Sequence, residues 1–300
     1  MKKSTPTSLK DEQEIVALAL NEQGYLLHSK LVEVLQSPGK HGISPHGWYV
    51  DATEVPVHLQ DGKETRIDLV LRHGPALRSP WRVVLECKRS ARDYKRWVFF
   101  GQTDRSRGPS GRIYYVELAQ LNGMWDQKGE PPMSHRVDSS NASAECPVFD
   151  YGVEARIDRP GSGKRASATD AIEDAFQQVT LGQAGLAIRL RRAHELNFRL
   201  LPVVVTTAEL MSAYFSTDKV SLDRGMIEPK DLKLEPRQWL AVNYRINDLT
   251  CEFSGITTNH TTDLAADLAA RQVRTVFVVQ APHIQPFLAW LEKTFAWVER

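Results

Sequence analysis

Residues 63–90 read KETRIDLVLRHGPALRSPWRVVLECKRS. Two runs within them, 66–71 and 82–88, are rich in β-branched and aliphatic residues, and Gly74, Pro75, Ser79 and Pro80 punctuate the gap between. That pattern predicts two strands joined as a hairpin. Side chains alternate along a strand, so Glu86 and Lys88 share one face while Leu85 and Cys87 take the other. Positions 68 and 86 are symmetric about residue 77, inside the gap. A hairpin folded there sets Asp68 opposite Glu86, with β-carbons about 5 Å apart. Two carboxylates facing each other in apolar strands repel, and desolvation worsens the repulsion. A cation between them relieves it, and oxygen-only ligands suit Mg²⁺, with Mn²⁺ able to substitute. The ammonium of Lys88, on the same face, can hold a water or a phosphate oxygen close by. The expectation is a site for metal-assisted phosphodiester hydrolysis.

The tripeptide Asp/Glu-x-Lys occurs six times, beginning at Asp61, Glu86, Asp93, Asp126, Glu228 and Asp231. Only the copy at Glu86 closes a continuous apolar run and follows a strand with its own Asp. A surface hairpin with a simple Asp–Lys ion pair is the bland alternative. It fits poorly, because Val83, Val84, Leu85 and Cys87 leave little of the strand for solvent. With RIDLVL followed by VVLECK, the chain resembles the PD-(D/E)XK nuclease superfamily, which has the restriction-endonuclease-like fold. The resemblance is specific over 48–96, loose over the first forty residues and only topological beyond 164.

The resemblance implies a single domain, a three-layer α/β/α core with a mixed sheet and a helical N-terminus. It implies a metal-dependent endonuclease or exonuclease in which Asp68 and Glu86 hold the metal and Lys88 serves the attacking water. The carbonyl of Cys87 is a further ligand candidate, and a helix before the sheet supplies another acid in such proteins. Glu14 is the candidate for that acid and Glu33 its competitor. Gln178 occupies the place of a Gln found on the following helix in some of these nucleases. The implied partner is nucleic acid, DNA ahead of RNA, in restriction or defence against foreign DNA. Cutting both strands calls for a dimer or two sequential nicks, and a homodimer or a partner protein of a defence system is the assembly implied. Two readings from other classes stand beside this one: a non-catalytic nucleic-acid-binding or assembly protein on the same fold, and a metal-dependent phosphoesterase acting on nucleotides.

Composition neither supplies nor contradicts these readings. Apolar content of 42% and charged content of 25% are those of an ordinary globular chain. The formal charge of +1 means that any nucleic-acid signal must be local. One local signal exists: residues 88–112 carry eight basic residues against two acids. Within them Arg89, Arg92, Lys95 and Arg96 lie beside Tyr94 and Trp97, a mixture suited to phosphate contact and base stacking. Three scattered cysteines show neither metal-ligand spacing nor a disulfide framework. Together with the absence of an apolar leader and of any membrane-length apolar run, they make a cytoplasmic location the expectation.

Helices are predicted over 11–20 and 26–35, with a loop over 37–46 holding His41 and His46. His28, before that loop, is read as solvated. A strand follows over 48–59 and turns at Asp61-Gly62 into the Asp68 strand. Pro56 requires that first strand to lie at an edge or carry a bulge. A strand is predicted over 112–118 and a loop-rich excursion over 126–169, with short strand patches at 148–151 and 153–157. Gly161-Ser-Gly-Lys164 is not a phosphate loop, because residue 158 is Asp and residue 165 is Arg. The longest helical pattern, 168–190, is interrupted by Gly182 and Gly185, and Arg189, Arg191 and Arg192 near its end are candidates for phosphate contact. Beyond it come a buried strand over 198–206, a helix over 208–215, a strand over 238–246, a helix over 263–272, a core strand over 273–280 and a helix around 287–291.

Overall fold

The computed structural model describes residues 9–22, 25–36, 47–59, 62, 64–74, 81–90, 96–101, 113–119, 133–138, 145–155, 170–193, 195, 197–245 and 273–295. Arg92, Tyr94, Lys95, the 37–46 loop, Gly161 to Lys164 and the 263–272 helix lie outside them. Two helices, α1 (Leu9–Glu22) and α2 (Tyr25–Gln36), lead into a meander of β1 (Trp48–His58), β2 (Glu64–His73) and β3 (Trp81–Lys88). Gly62 takes φ +81° in the β1–β2 turn, a left-handed conformation that suits glycine. β1 is an edge strand, the first of the two places expected for Pro56, which pairs in register with Arg66; a register shift lies further along β1, between Val50 and Ala52.

The chain continues through β4 (Arg96–Phe100), β5 (Ile113–Ala119), β6 (Met133–Asp138), β7 (Val148–Phe149) and β8 (Tyr151–Ala155) into the long helix α3 (Asp170–Arg192). β9 (Asn197–Thr206) returns beside β3 and runs parallel to it from Trp81↔Arg199 to Lys88↔Thr206. Then come β10 (Glu209–Tyr214), β11 (Lys233–Arg237), β12 (Trp239–Arg245), β13 (Val273–Gln280) and α4 (Ile284–Phe295). Among the described residues the main sheet has nine strands, with the path β1-β2-β3-β9-β13-β12-β7, and β5 and β6 joined to it through β9. A second sheet has the order β11-β10-β4-β8.

Helices cover the main sheet on both faces, giving the three layers expected of an α/β protein. On one face Ile172, Phe176, Val179 and Leu186 of α3 pack on Val70, Val84, Val204 and Val278. On the other, Leu31 and Leu35 of α2 and Phe287, Leu288 and Leu291 of α4 pack on Leu69, Leu85, Val203 and Phe277. β3 and β9 are apolar on both faces because both faces are covered. Each Val or Leu fully buried in this way contributes about 1.5–3 kcal/mol.

Three expectations need correction. The 208–215 segment is strand β10, not a helix: it pairs with β4 on one side and β11 on the other. Gly182 and Gly185 do not interrupt α3. They allow it to lie close on the sheet, since a β-carbon at Gly185 would stand 2.6 Å from Val57 Cγ2 and one at Gly182 would stand 2.9 Å from Ile67 Cγ1. Finally, the 126–169 excursion holds β6 in addition to β7 and β8, which fall on the expected strand patches, and so contributes strands to both sheets.

Candidate active site

The β2–β3 ladder runs from Arg72↔Arg82 to Leu69↔Leu85 and stops there. One step further along the same register, Asp68 stands across from Glu86, as the hairpin symmetry requires. Where the ladder stops, the Asp68 side chain takes over its role: Cys87 N–H donates to Asp68 Oδ2 at 2.8 Å. Lys88 Nζ lies 3.1 Å from Glu86 Oε1 and also donates to Gln178 Oε1 on α3. The three motif residues and Gln178 therefore meet at the end of β3, under the first half of α3.

Burial sets the electrostatics. Glu86 is only 7% exposed, and its carboxyl is pushed up to about 7, first by burial and then by the Asp68 charge, with Lys88 opposing. Asp68 is also raised, chiefly by burial, although the Cys87 N–H and the nearby Lys88 favour its ionised form. The Cys87 thiol is held well above its ordinary range by burial and by these acids, so it remains a neutral thiol.

A third acid belongs to the neighbourhood. In the β1–β2 register, Thr53↔Leu69 and Val55↔Ile67 bracket Glu54 opposite Asp68. The Glu54 charge raises both Asp68 and Glu86. Glu54 takes φ +50°, a left-handed backbone that a non-glycine residue adopts at a cost of about 1–3 kcal/mol and that clusters at functional sites. Arg66 Nε holds its Oε2 at 2.8 Å. His28 of α2 joins from the side, with Nε2 at 3.2 Å from the Asp68 carbonyl oxygen and 3.7 Å from Glu54 Oε1. The signal for Glu54 was present in the sequence. A hairpin centred on Asp61 pairs 54 with 68 by the same symmetry that pairs 68 with 86. His28 had no comparable signal, because its position depends on how α2 docks on β1.

The remaining candidates separate. Glu14 is exposed on α1 and is not among the charges that act on Asp68 or Glu86. Glu33 is exposed on α2 and pairs with Lys30 at 2.7 Å. Arg89 is exposed beside the site. Arg96 pairs with Glu209 across β4 and β10 at 2.8 Å. Trp97 is unavailable for base stacking: it is fully buried, and its Nε1–H donates to Glu154 Oε1 at 2.9 Å.

Among the described residues, no three His, Cys, Asp or Glu side chains close on a common centre. The donor chemistry nevertheless fits a divalent ion. Three carboxyls, Asp68, Glu86 and Glu54, face two permanent cations, Lys88 and Arg66. Mg²⁺ binds through one or two carboxylates and keeps several waters, which suits a pair of acids better than a closed cage. Among the described residues, no helix is long and apolar enough to cross a membrane. Comparison of the chain with protein-family models, with characterised proteins and with solved structures returned no match.

Proposed function

We propose that this protein is a metal-dependent nuclease of the restriction-endonuclease-like type, hydrolysing phosphodiester bonds of nucleic acid, DNA ahead of RNA. The observation that carries the proposal is the meeting of Asp68, midway along β2, with Glu86 and Lys88 at the end of the adjacent buried strand β3, and Gln178 on Lys88. The order of elements supports it. A helix precedes an antiparallel meander, and a helix then leads to a strand parallel to the last of the three.

In this reading Asp68 and Glu86 hold a Mg²⁺ or Mn²⁺ ion, together with the Cys87 carbonyl. Such an ion supplies Lewis-acid polarisation of the phosphate and a more acidic water. Asp68 is oriented by the Cys87 N–H, which fixes one of its oxygens and leaves the other to act. Burial raises the Glu86 carboxyl to about 7, so a bound cation would have to displace the proton that this carboxyl keeps below that value. Lys88 places a positive charge where the phosphoryl group gains negative charge, and Gln178 anchors the ammonium. Glu54 adds negative field without being a ligand, and its charge is moderated by Arg66.

The test is cleavage of plasmid, linear duplex, single-stranded DNA and RNA in Mg²⁺, Mn²⁺ and EDTA. Metal-dependent cutting that Glu86→Gln and Lys88→Ala abolish, with folding intact, supports the reading. Undiminished cutting by the folded variants removes it.

A further inference from the structure

A second charged site lies beside the acids, in a cavity of about 530 Å³ between the edge of the sheet and the last turns of α3. Its basic residues are Arg72, Arg82 and Arg189, and its acids are Asp51, Glu54 and Glu195. Arg72 and Arg82 are direct cross-strand partners, an arrangement in which like charges repel. Arg82 is 4% exposed, and its Nη2 donates to Glu195; among the described residues Nη1 has no hydrogen-bond partner, and neither has Arg72 Nε. Buried guanidinium N–H groups without partners are costly, and a site that keeps two of them in one row is shaped for an incoming anion.

The negative groups present do not fill this need. Glu54 is held by Arg66, and Asp51 is exposed on the edge strand. α3 ends here, but the carbonyls of Arg189 and Leu190 are taken by the N–H groups of Ala193 and Glu195, which mutes the negative end of the helix. Arginine forks match phosphate oxygens in pairs. A cavity of this volume is in the range of small-molecule sites and exceeds the needs of a bare phosphate ion. Leu186 and Leu190 give it an apolar wall suited to a base or sugar.

We propose that this cavity binds the phosphate of a nucleotide-sized ligand through Arg72, Arg82 and Arg189, either the terminal nucleotide of a strand or a free nucleotide. The anion site stands on its own residues, and its use by a strand being cut rests on the nuclease reading. Glu54 lines the cavity and also acts on Asp68 and Glu86, so the two sites adjoin. Arg72 lies four residues from Asp68, about 13 Å along the strand.

Calorimetric titration in EDTA tests this without reading cleavage, so failure of the nuclease reading leaves the result intact. The probes are a nucleoside, its 5′-monophosphate, and a short oligonucleotide with a 5′-phosphate or a 5′-hydroxyl. The monophosphate is expected to bind at least tenfold more tightly than the nucleoside. Arg72→Gln and Arg189→Gln should each weaken it about tenfold, and Glu195→Gln should tighten it. Arg189 is exposed, so its variant is expected to fold as the wild type does, which circular dichroism checks. Preference for the 5′-phosphorylated oligonucleotide over the monophosphate assigns the ligand to a strand terminus, and the opposite preference assigns it to a free nucleotide. Equal binding of nucleoside and nucleotide, unchanged affinity in both arginine variants, or no binding of any probe overturns the proposal.

Discussion

Glu86 ties stability to pH through its position between apolar neighbours and Asp68. An unfolded chain ionises a glutamate near 4.5, whereas the folded protein holds the Glu86 proton up to about 7. Between these values the folded state binds more protons than the unfolded one, so stability falls as pH rises through the window. The full loss, reached above pH 7, is about 3 kcal/mol. Glu86→Gln removes the titrating group. In EDTA the variant should therefore lose less stability than the wild type between pH 5 and pH 8, by roughly that amount. Urea denaturation at both pH values measures the difference, and equal pH slopes would refute the assignment. Asp68 shifts in the same direction, so Asp68→Asn should behave alike. Gln178 is tested through activity: Gln178→Ala leaves the Lys88 ammonium on Glu86 alone and should slow cleavage about tenfold, a typical cost for loss of a supporting contact. Its exposed position on α3 predicts an unchanged melting temperature. A variant with unchanged turnover would reduce the Gln178–Lys88 contact to packing.

α3 reaches the site only because two of its residues have no side chain. Alanine ordinarily stabilises an exposed helix by about 1 kcal/mol over glycine. Gly185→Ala should reverse that sign, because its β-carbon would meet both Cβ and Cγ2 of buried Val57 within 2.7 Å. Overpacking of this kind costs about 1–3 kcal/mol, which chemical denaturation reads directly; a stabilised Gly185→Ala protein would contradict the packing described. The need for these two glycines is not visible in the sequence around them. Locally they break a helix, and only the sheet beneath makes them necessary. β10 failed for a related reason. ELMSAY carries no decisive periodicity, and its strand identity comes from β4, more than a hundred residues earlier, and from β11. The β1–β2–β3 meander was legible because its pairings are local and its turn centres, Asp61 and residue 77, could be counted. α2 was predicted as a helix, but nothing in its sequence tells His28 to meet Asp68.

At the scale of the molecule, two sheets share one core: Trp97 and Phe99 of the second sheet are buried with α3 and with Val204 of the first. That arrangement removes Trp97 from any nucleic-acid surface. It also accounts for how much of the site the sequence could reveal. Asp68, Glu86 and Lys88 follow from one hairpin, whereas the arginine cavity is assembled from β1, β2, β3 and the end of α3. Excess carboxyl charge in the folded state predicts stabilisation by divalent ions. At one hundred times its dissociation constant, Mg²⁺ should add about 2.7 kcal/mol, read as a raised melting temperature that Asp68→Asn abolishes. The central claim, a cleaving site at Asp68, Glu86 and Lys88, is tested most directly by plasmid and oligonucleotide cleavage. The wild type would be compared with a Glu86→Ala/Lys88→Ala protein in Mg²⁺ and in EDTA. Metal-dependent cutting by the wild type alone is the predicted result. Equal cutting by the double variant, or neither cutting nor metal binding by the wild type, would contradict it.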